Sequence, residues 1–263
     1  MNRRIALVTD SYPAVPGLDT TLARALLRAV SADQLGETFR IYSPGRVLAF
    51  GKRDSIEPGF AQAAAAAAGL GYTPLIRLAG GRAAVFHENT LAFGWTMPID
   101  DPRAGIQARF ERLADLMVGA FARLGITSSV GEIPGEYCPG RFSVHNSMQR
   151  KVMGVGQRLA RDAAHVGGVI VVDDAPAINE VLHPVYGGLG VDFDPAATGA
   201  LSDTAPEITS DAVVAAIVAE LAQFAELEPA TLDRETLDAG RALLPDHLVD
   251  GARRAAEDDA ATL

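Results

Sequence analysis

Residues 165–174 read HVGGVIVVDD, and five of the seven positions from Val166 to Val172 are β-branched. The run is strand-forming and falls well short of the roughly 20 apolar residues a membrane helix needs. It reads as a strongly apolar strand. Helical patterns lie on either side of it in the chain. TTLARALLRAVSAD sets Leu22, Leu26, Leu27 and Val30 on one helical stripe. A longer helix, roughly Ala104 to Leu124, turns Ile106, Phe110, Leu113, Met117 and Phe121 inward. FAQAAAAAAGLGY is an alanine-rich helix stopped by Gly69 and Gly71, and APAINEVLH is a short one entered through Asp174 and Pro176. RIALVTD, FRIYSP, VLAFGK and LAFGWTMP read as strands, and RFSVH and KVMGVGQRLAR flank a hairpin around Asn146–Gln149. Interleaved strands and helices of this kind predict an α/β body.

Near Asp203 the texture turns acidic and alanine-rich, which predicts a body over residues 1–200 and a small helical C-terminal appendage over 203–263. Charge divides in a similar way. Residues 1–172 hold 19 basic and 14 acidic side chains and residues 173–263 hold 4 and 19, so +5 and −15 make the net −10. That balance argues against nonspecific nucleic-acid binding. The apolar stretch IALV behind Arg3 and Arg4 is too short for a signal peptide, so the expected compartment is the cytoplasm, with no membrane segment. A single cysteine excludes an internal disulfide framework, and the five histidines form no HxH, HExxH or HxxxH pair, so no metal site is expected.

Three stretches are candidates for chemistry. The chain has only two lysines among its 23 basic side chains, and one, Lys151, precedes a pair of glycines in KVMGVGQR. If Val152–Gly156 is a strand, Gly154 and Gly156 leave one face bare for a flat ligand or acyl chain, or for a closely packed neighbouring strand. In RLAGGRAAVFH, Gly80 and Gly81 lie between Arg77 and Arg82, as suits a loop aiming N–H groups at an anion, or simply a tight turn. Cys138, in GEYCPGRF, sits in a turn with Arg141 nearby in sequence, where a thiol is either an inert small side chain or a nucleophile with a lowered pKa. Between Pro139 and Arg161 lie five basic residues and no acid, a window that suits an anion or an acidic partner surface.

The order of these stretches resembles the lipoate–protein ligase and octanoyltransferase family, which is related to biotin–protein ligases. There an Arg-x-Ser/Thr-Gly-Gly segment ending in Ala-Val-x-His precedes, by about 70 residues, a Lys-x-x-Gly-x-Ala/Gly-Gln-Arg segment, followed by a His-Gly segment. The resemblance covers roughly residues 20–190. It implies a mixed, largely antiparallel sheet flanked by helices, like that of the biotin and lipoate ligases and class II synthetases. It assigns Lys151 to the substrate carboxylate and phosphate. Arg77, Gly80, Gly81, Arg82, Ala83 and His87 fall in or beside the loop lining the acyl-adenylate site, and Gly154, Gln157, His165 and Gly167 follow on the later strands. Three positions depart from the pattern. Ala79 replaces the motif Ser/Thr, His87 lies one residue further from the Gly-Gly, and Arg82 replaces the ligases' third glycine, as in the cysteine-dependent transferases.

The first reading this implies is an ATP- and Mg²⁺-dependent ligase that joins lipoate or octanoate to a lysine of lipoyl-domain proteins, namely the E2 subunits of 2-oxoacid dehydrogenases and the glycine cleavage H protein. The second is an octanoyltransferase in which Cys138, 13 residues before Lys151, takes the acyl group from acyl carrier protein. The third is a non-catalytic protein that binds a lipoyl domain or an acyl ligand.

Overall fold

The computed structural model describes residues 3–101 and 103–249. In chain order its main elements are β1 (Arg4–Val8), α1 (Leu18–Ser31), β2 (Thr38–Tyr42), β3 (Val47–Phe50), α2 (Phe60–Gly69), β4 (Thr73–Ile76), β5 (Ala84–Phe86), β6 (Thr90–Pro98), α3 (Ile106–Arg123), β7 (Ser128–Val130), β8 (Val144–Asn146), β9 (Lys151–Leu159), β10 (Ala163–Val171), α4 (Ala175–Leu189), α5 (Ser210–Leu221), β11 (Glu226–Ala230) and α6 (Arg234–His247).

The apolar run is β10, and it lies inside an eight-stranded sheet of order β11-β1-β2-β6-β10-β9-β8-β7. The β11/β1 and β1/β2 pairs are parallel, and the other five are antiparallel. Side chains alternate across the pleat. Val166 and Ile170 of β10 therefore enter the core beneath α3 and α5, while Val169 and Val171 enter a second core with α2, α4 and a small sheet of order β4-β3-β5. At Gly168 β10 has no room for a side chain, since a Cβ there would stand 1.9 Å from the Gly154 carbonyl oxygen of β9. The mixed, largely antiparallel sheet flanked by helices is the fold expected from the sequence.

Two helices differ in detail from their sequence patterns. In α3, Leu113, Met117 and Phe121 are fully buried, but Ile106 is exposed because the helix begins there, beyond the edge of the core. The fourth helix does not stop near His183. It runs through Pro184 to a left-handed Gly190 cap, with Leu182, Val185, Tyr186 and Leu189 buried along its continuation. Proline removes one helical N–H, and the apolar stripe on either side holds the helix together. This extension carries Tyr186 to the candidate site.

The segment after residue 203 contains a strand as well as helices. The β11 strand extends the main sheet in parallel beside β1, and Val213, Ile217 and Leu221 of α5 share the core with α3. Helix α6 lies on α1, where the Thr21 hydroxyl donates to the Gly240 carbonyl at 2.9 Å. Residues 250–263 of the expected appendage lie outside the described residues.

Candidate active site

Lys151 opens β9 after a tight hairpin. The Asn146 side-chain oxygen accepts from the Met148 and Arg150 N–H groups at 3.1 and 3.2 Å, and Gln149 takes φ 57°. The ammonium is 1% exposed and does not face open space. It donates to the carbonyls of Tyr137 (2.9 Å) and Cys138 (2.7 Å) and to the Glu136 carboxylate (3.2 Å), with the Tyr137 ring 4.9 Å away. An ammonium has three hydrogens, and all three go to the 136–138 loop. Glu136 is equally buried, and it also accepts from Gly140 N–H at 2.9 Å and the Ser143 hydroxyl at 2.6 Å. A compact point charge suits three acceptors on different sides better than a planar guanidinium fork.

The loop so clamped presents Cys138. Its backbone is left-handed, φ 44°, a conformation rare for a residue with a Cβ. The sulfur accepts from the Arg82 N–H at 3.1 Å and from an Arg77 guanidinium nitrogen at 3.3 Å. Burial pushes the thiol pKa up, but the Arg77 charge, the Lys151 charge and the Arg82 N–H outweigh it, and the net value lies below the ordinary thiol range. Two cations and an amide around one sulfur favour thiolate, the reactive form.

The glycine loop makes that contact possible. Gly81 has φ 104°, and a Cβ there would lie 2.8 Å from the Cys138 sulfur and 2.4 Å from the Arg77 guanidinium. Gly81→Ala is therefore expected to cost roughly 1–3 kcal/mol of stability and to slow alkylation of Cys138. Thermal unfolding and timed iodoacetamide labelling check both; labelling at the wild-type rate would contradict the geometry. Ala79 and Gly80 of the same loop pack over Gly156, and Gly154 lies against the Lys151 stem.

Not every expected residue joins this cluster. Arg82 lines the open cleft described below, but its guanidinium is paired with the fully buried Asp54 at 3.0 Å and with Glu57 at 2.7 Å, leaving its backbone N–H for the sulfur. His87 is buried in the β5–β6 turn, where its Nδ1 accepts from Asn89 N–H, beside the start of α4 rather than beside Cys138. Gln157 is six residues along β9 from Lys151, roughly 20 Å in a strand, and ties β9 to α3 through Arg109 Nε and the Ile106 carbonyl. The basic window does not form one patch. Lys151 is buried, Arg150 pairs with Asp203 at 3.6 Å, and Arg158 and Arg161 lie at the far end of the β9–β10 hairpin.

A narrow slot of about 50 Å³ lies between α1, the 77–79 loop and the sheet, lined by Tyr42, Arg77, Phe86, Phe93, His165 and Gly167. Arg77 thus reaches both the slot and the sulfur, and its Nε is buried without a hydrogen-bond partner among the described residues. At the slot His165 shares a hydrogen bond with Thr96 (2.8 Å), and burial holds its pKa down at about 4, so the ring is neutral near pH 7. The unfolded chain therefore binds more protons than the folded one between about pH 4 and 6.5, and stability falls as pH drops through that window. The expected loss from His165 is up to roughly 3 kcal/mol. His87 and His247, also held down by burial, add to it. Urea unfolding at stepped pH should show a flatter profile for His165→Gln; an unchanged slope would contradict it.

On the other side of the glycine loop, an open cleft of about 560 Å³ is lined by Lys52, Arg53, Gly80, Gly81, Glu136 and Pro139, among others. Sequence reasoning passed over Lys52, Glu136, Asp54 and Tyr186. Two signals were available: Lys52 is the chain's other lysine, and Glu136 lies two residues before the lone cysteine. Among the described residues no cluster of three or more His, Cys, Asp or Glu could hold a metal ion, and no helix is long and apolar enough to cross a membrane.

The chain is similar to several known proteins. An octanoyl-GcvH protein N-octanoyltransferase of Geobacillus kaustophilus is 29% identical over 147 residues, which are 56% of this chain and 50% of that protein. The match thus spans half the length of that relative. A lipoyl-GcvH protein N-lipoyltransferase of Listeria monocytogenes is 25% identical over 226 residues, 81% of each chain. The crystal structure of lipoate-protein ligase A bound with ATP has the same fold, with a TM-score of 0.74 at 17% identity over 93% of this chain and 94% of that one. The family model described as the lipoyl protein ligase A/B catalytic domain matches residues 17–222, and the chain belongs to that family.

Proposed function

We propose that this chain is a cysteine-dependent acyltransferase of protein lipoylation, moving an octanoyl or lipoyl group between lysines of lipoyl-domain proteins through a thioester on Cys138. One observation carries the reading: the only cysteine receives the Arg82 N–H and the Arg77 guanidinium on its sulfur while Lys151 holds its carbonyl. The relatives named for octanoyl-GcvH and lipoyl-GcvH favour an acylated GcvH-type protein as donor, in place of acyl carrier protein.

The chemistry balances without an energy source. The Cys138 thiolate attacks the carbonyl of the donor's acyl-lysine amide; the C–N bond breaks, and the freed amine takes up a proton from solvent. The acceptor lysine, as neutral amine, attacks the thioester; an amide forms, the C–S bond breaks to return the thiolate, and the proton lost by the acceptor nitrogen goes to solvent. One amide is exchanged for another, so the overall reaction is close to thermoneutral. Arg77, reaching both slot and sulfur, can stabilise charge on the acyl oxygen as it develops. The acyl chain lies in the slot toward His165. An eight-carbon chain needs more room than the slot now has, so the 77–81 loop must move away from the sheet when donor binds.

The residues fit ATP poorly. The Lys151 hydrogens are all engaged, the Arg82 guanidinium is committed to two carboxylates, and Glu132, Glu136 and Asp192 put negative charge along the cleft beside the glycine loop, which disfavours a triphosphate. Lys52 and Arg53 are the cations at its mouth and are exposed, which suits an acidic acceptor surface. The test is a donor panel read by mass spectrometry of a lipoyl-domain acceptor. Octanoyl- or lipoyl-loaded GcvH-type protein should label it without ATP. Labelling only from free acid with ATP, with AMP released, would establish the ligase reading instead.

A further inference from the structure

Tyr186 is 1% exposed, on the part of α4 that continues past Pro184, and the transfer steps above do not use it. Its hydroxyl accepts from the Cys138 N–H at 2.8 Å and donates to the Ala83 carbonyl at 3.0 Å. One oxygen thus joins the peptide of the nucleophile to the end of the glycine loop, whose Arg82 N–H touches the sulfur. The Cys138 backbone needs such support. Its φ of 44° is unfavourable for a residue with a Cβ and persists only where neighbours hold it. Lys151 holds the loop from the carbonyl side and Tyr186 from the amide side.

We propose that Tyr186 is a positioning residue for acyl transfer, its hydroxyl pinning the Cys138 amide to Ala83 so that the sulfur stays on the Arg82 N–H and the Arg77 guanidinium. The proposal rests on the Cys138 reading of function. Tyr186→Phe removes one oxygen and leaves the ring in place against Phe193, whose centroid lies 5.0 Å away. The charged and titratable groups around the thiol, Arg77, Arg82, Lys151, Glu136 and Tyr137, are unchanged by it. A second variant, Phe193→Leu, disturbs the ring's packing and spares the hydroxyl.

The experiment follows alkylation of Cys138 by iodoacetamide against pH, and acyl transfer from a loaded GcvH-type donor, for the wild type and both variants. In Tyr186→Phe the alkylation midpoint should rise by about one pH unit. Its kcat should fall about tenfold while donor KM stays within about twofold. Phe193→Leu should leave the midpoint in place. A Tyr186→Phe midpoint equal to wild type, or an equal shift in Phe193→Leu, overturns the proposal. Alkylation needs no acyl donor, so the two readings fail differently. Undiminished transfer by fully alkylated protein would remove Cys138 as nucleophile; an unmoved midpoint would remove Tyr186 as its support.

Discussion

Cys138→Ala should lose acyl transfer by roughly 10³-fold or more, because no second thiol exists to carry the group. The loss should be chemical and not structural. Cys138 is half-buried as a residue, and its sulfur accepts two hydrogen bonds from groups with other anchors: Arg82 belongs to the loop held by Asp54 and Glu57, and Arg77 also donates to the Arg82 carbonyl at 2.8 Å. Unfolding free energy should therefore stay within about 1 kcal/mol of wild type. Cys138→Ser should be almost as inactive, since the two cations that bring a thiol into its reactive range leave a hydroxyl far outside it. Acceptor labelling by mass spectrometry, with thermal unfolding alongside, measures both parts. Retention of most activity by Cys138→Ala would return the protein to the ligase reading.

Lys151→Met should lose both activity and stability, and the two losses should separate. Removing the ammonium leaves the Glu136 carboxylate buried without its counter-charge and the carbonyls of Tyr137 and Cys138 without donors. Breaking a buried pair from one side costs roughly 3–5 kcal/mol, whereas replacing both partners by uncharged groups costs far less. The double variant Lys151→Met with Glu136→Gln should therefore unfold closer to wild type than the single variant in urea titrations. It should not regain transfer, because nothing then fixes the Cys138 carbonyl or lends positive charge to the sulfur. Lys151→Arg should also fail, as a wider fork in a space that is 1% exposed cannot reach three acceptors on different sides. A double variant no more stable than Lys151→Met, or one with restored transfer, would mean that Lys151 acts other than through this loop.

Much of the scaffold could be read from local patterns. The β-branched run from Val166 to Val172 marked the central strand, the Leu22–Val30 stripe marked α1, and the glycines of KVMGVGQR marked a bare strand face. Lys151 and the Gly80–Gly81 loop were legible as a pair through their order and spacing. What they do to each other was not. The resemblance assigns the Lys151 charge to a substrate carboxylate, and in the structure the ammonium donates to Glu136 and to two carbonyls of the cysteine loop. Arg82 and Cys138 are 56 residues apart, a contact made only when the glycine loop folds over the 136–138 turn. Tyr186 was hidden because Pro184 reads as a helix end, whereas the buried stripe carries the helix past it. His87 has the right residue type near the right motif, but the short β5 strand carries it to the opposite end of α4 from Tyr186.

The most direct test of the account is the intact mass of the enzyme itself after brief mixing with octanoyl-loaded GcvH-type donor, without acceptor or ATP, and an acid quench. The account predicts one octanoyl group per chain, removed by hydroxylamine and absent from Cys138→Ser. An enzyme that stays unmodified while its acceptor becomes acylated under the same conditions would contradict a thioester at Cys138.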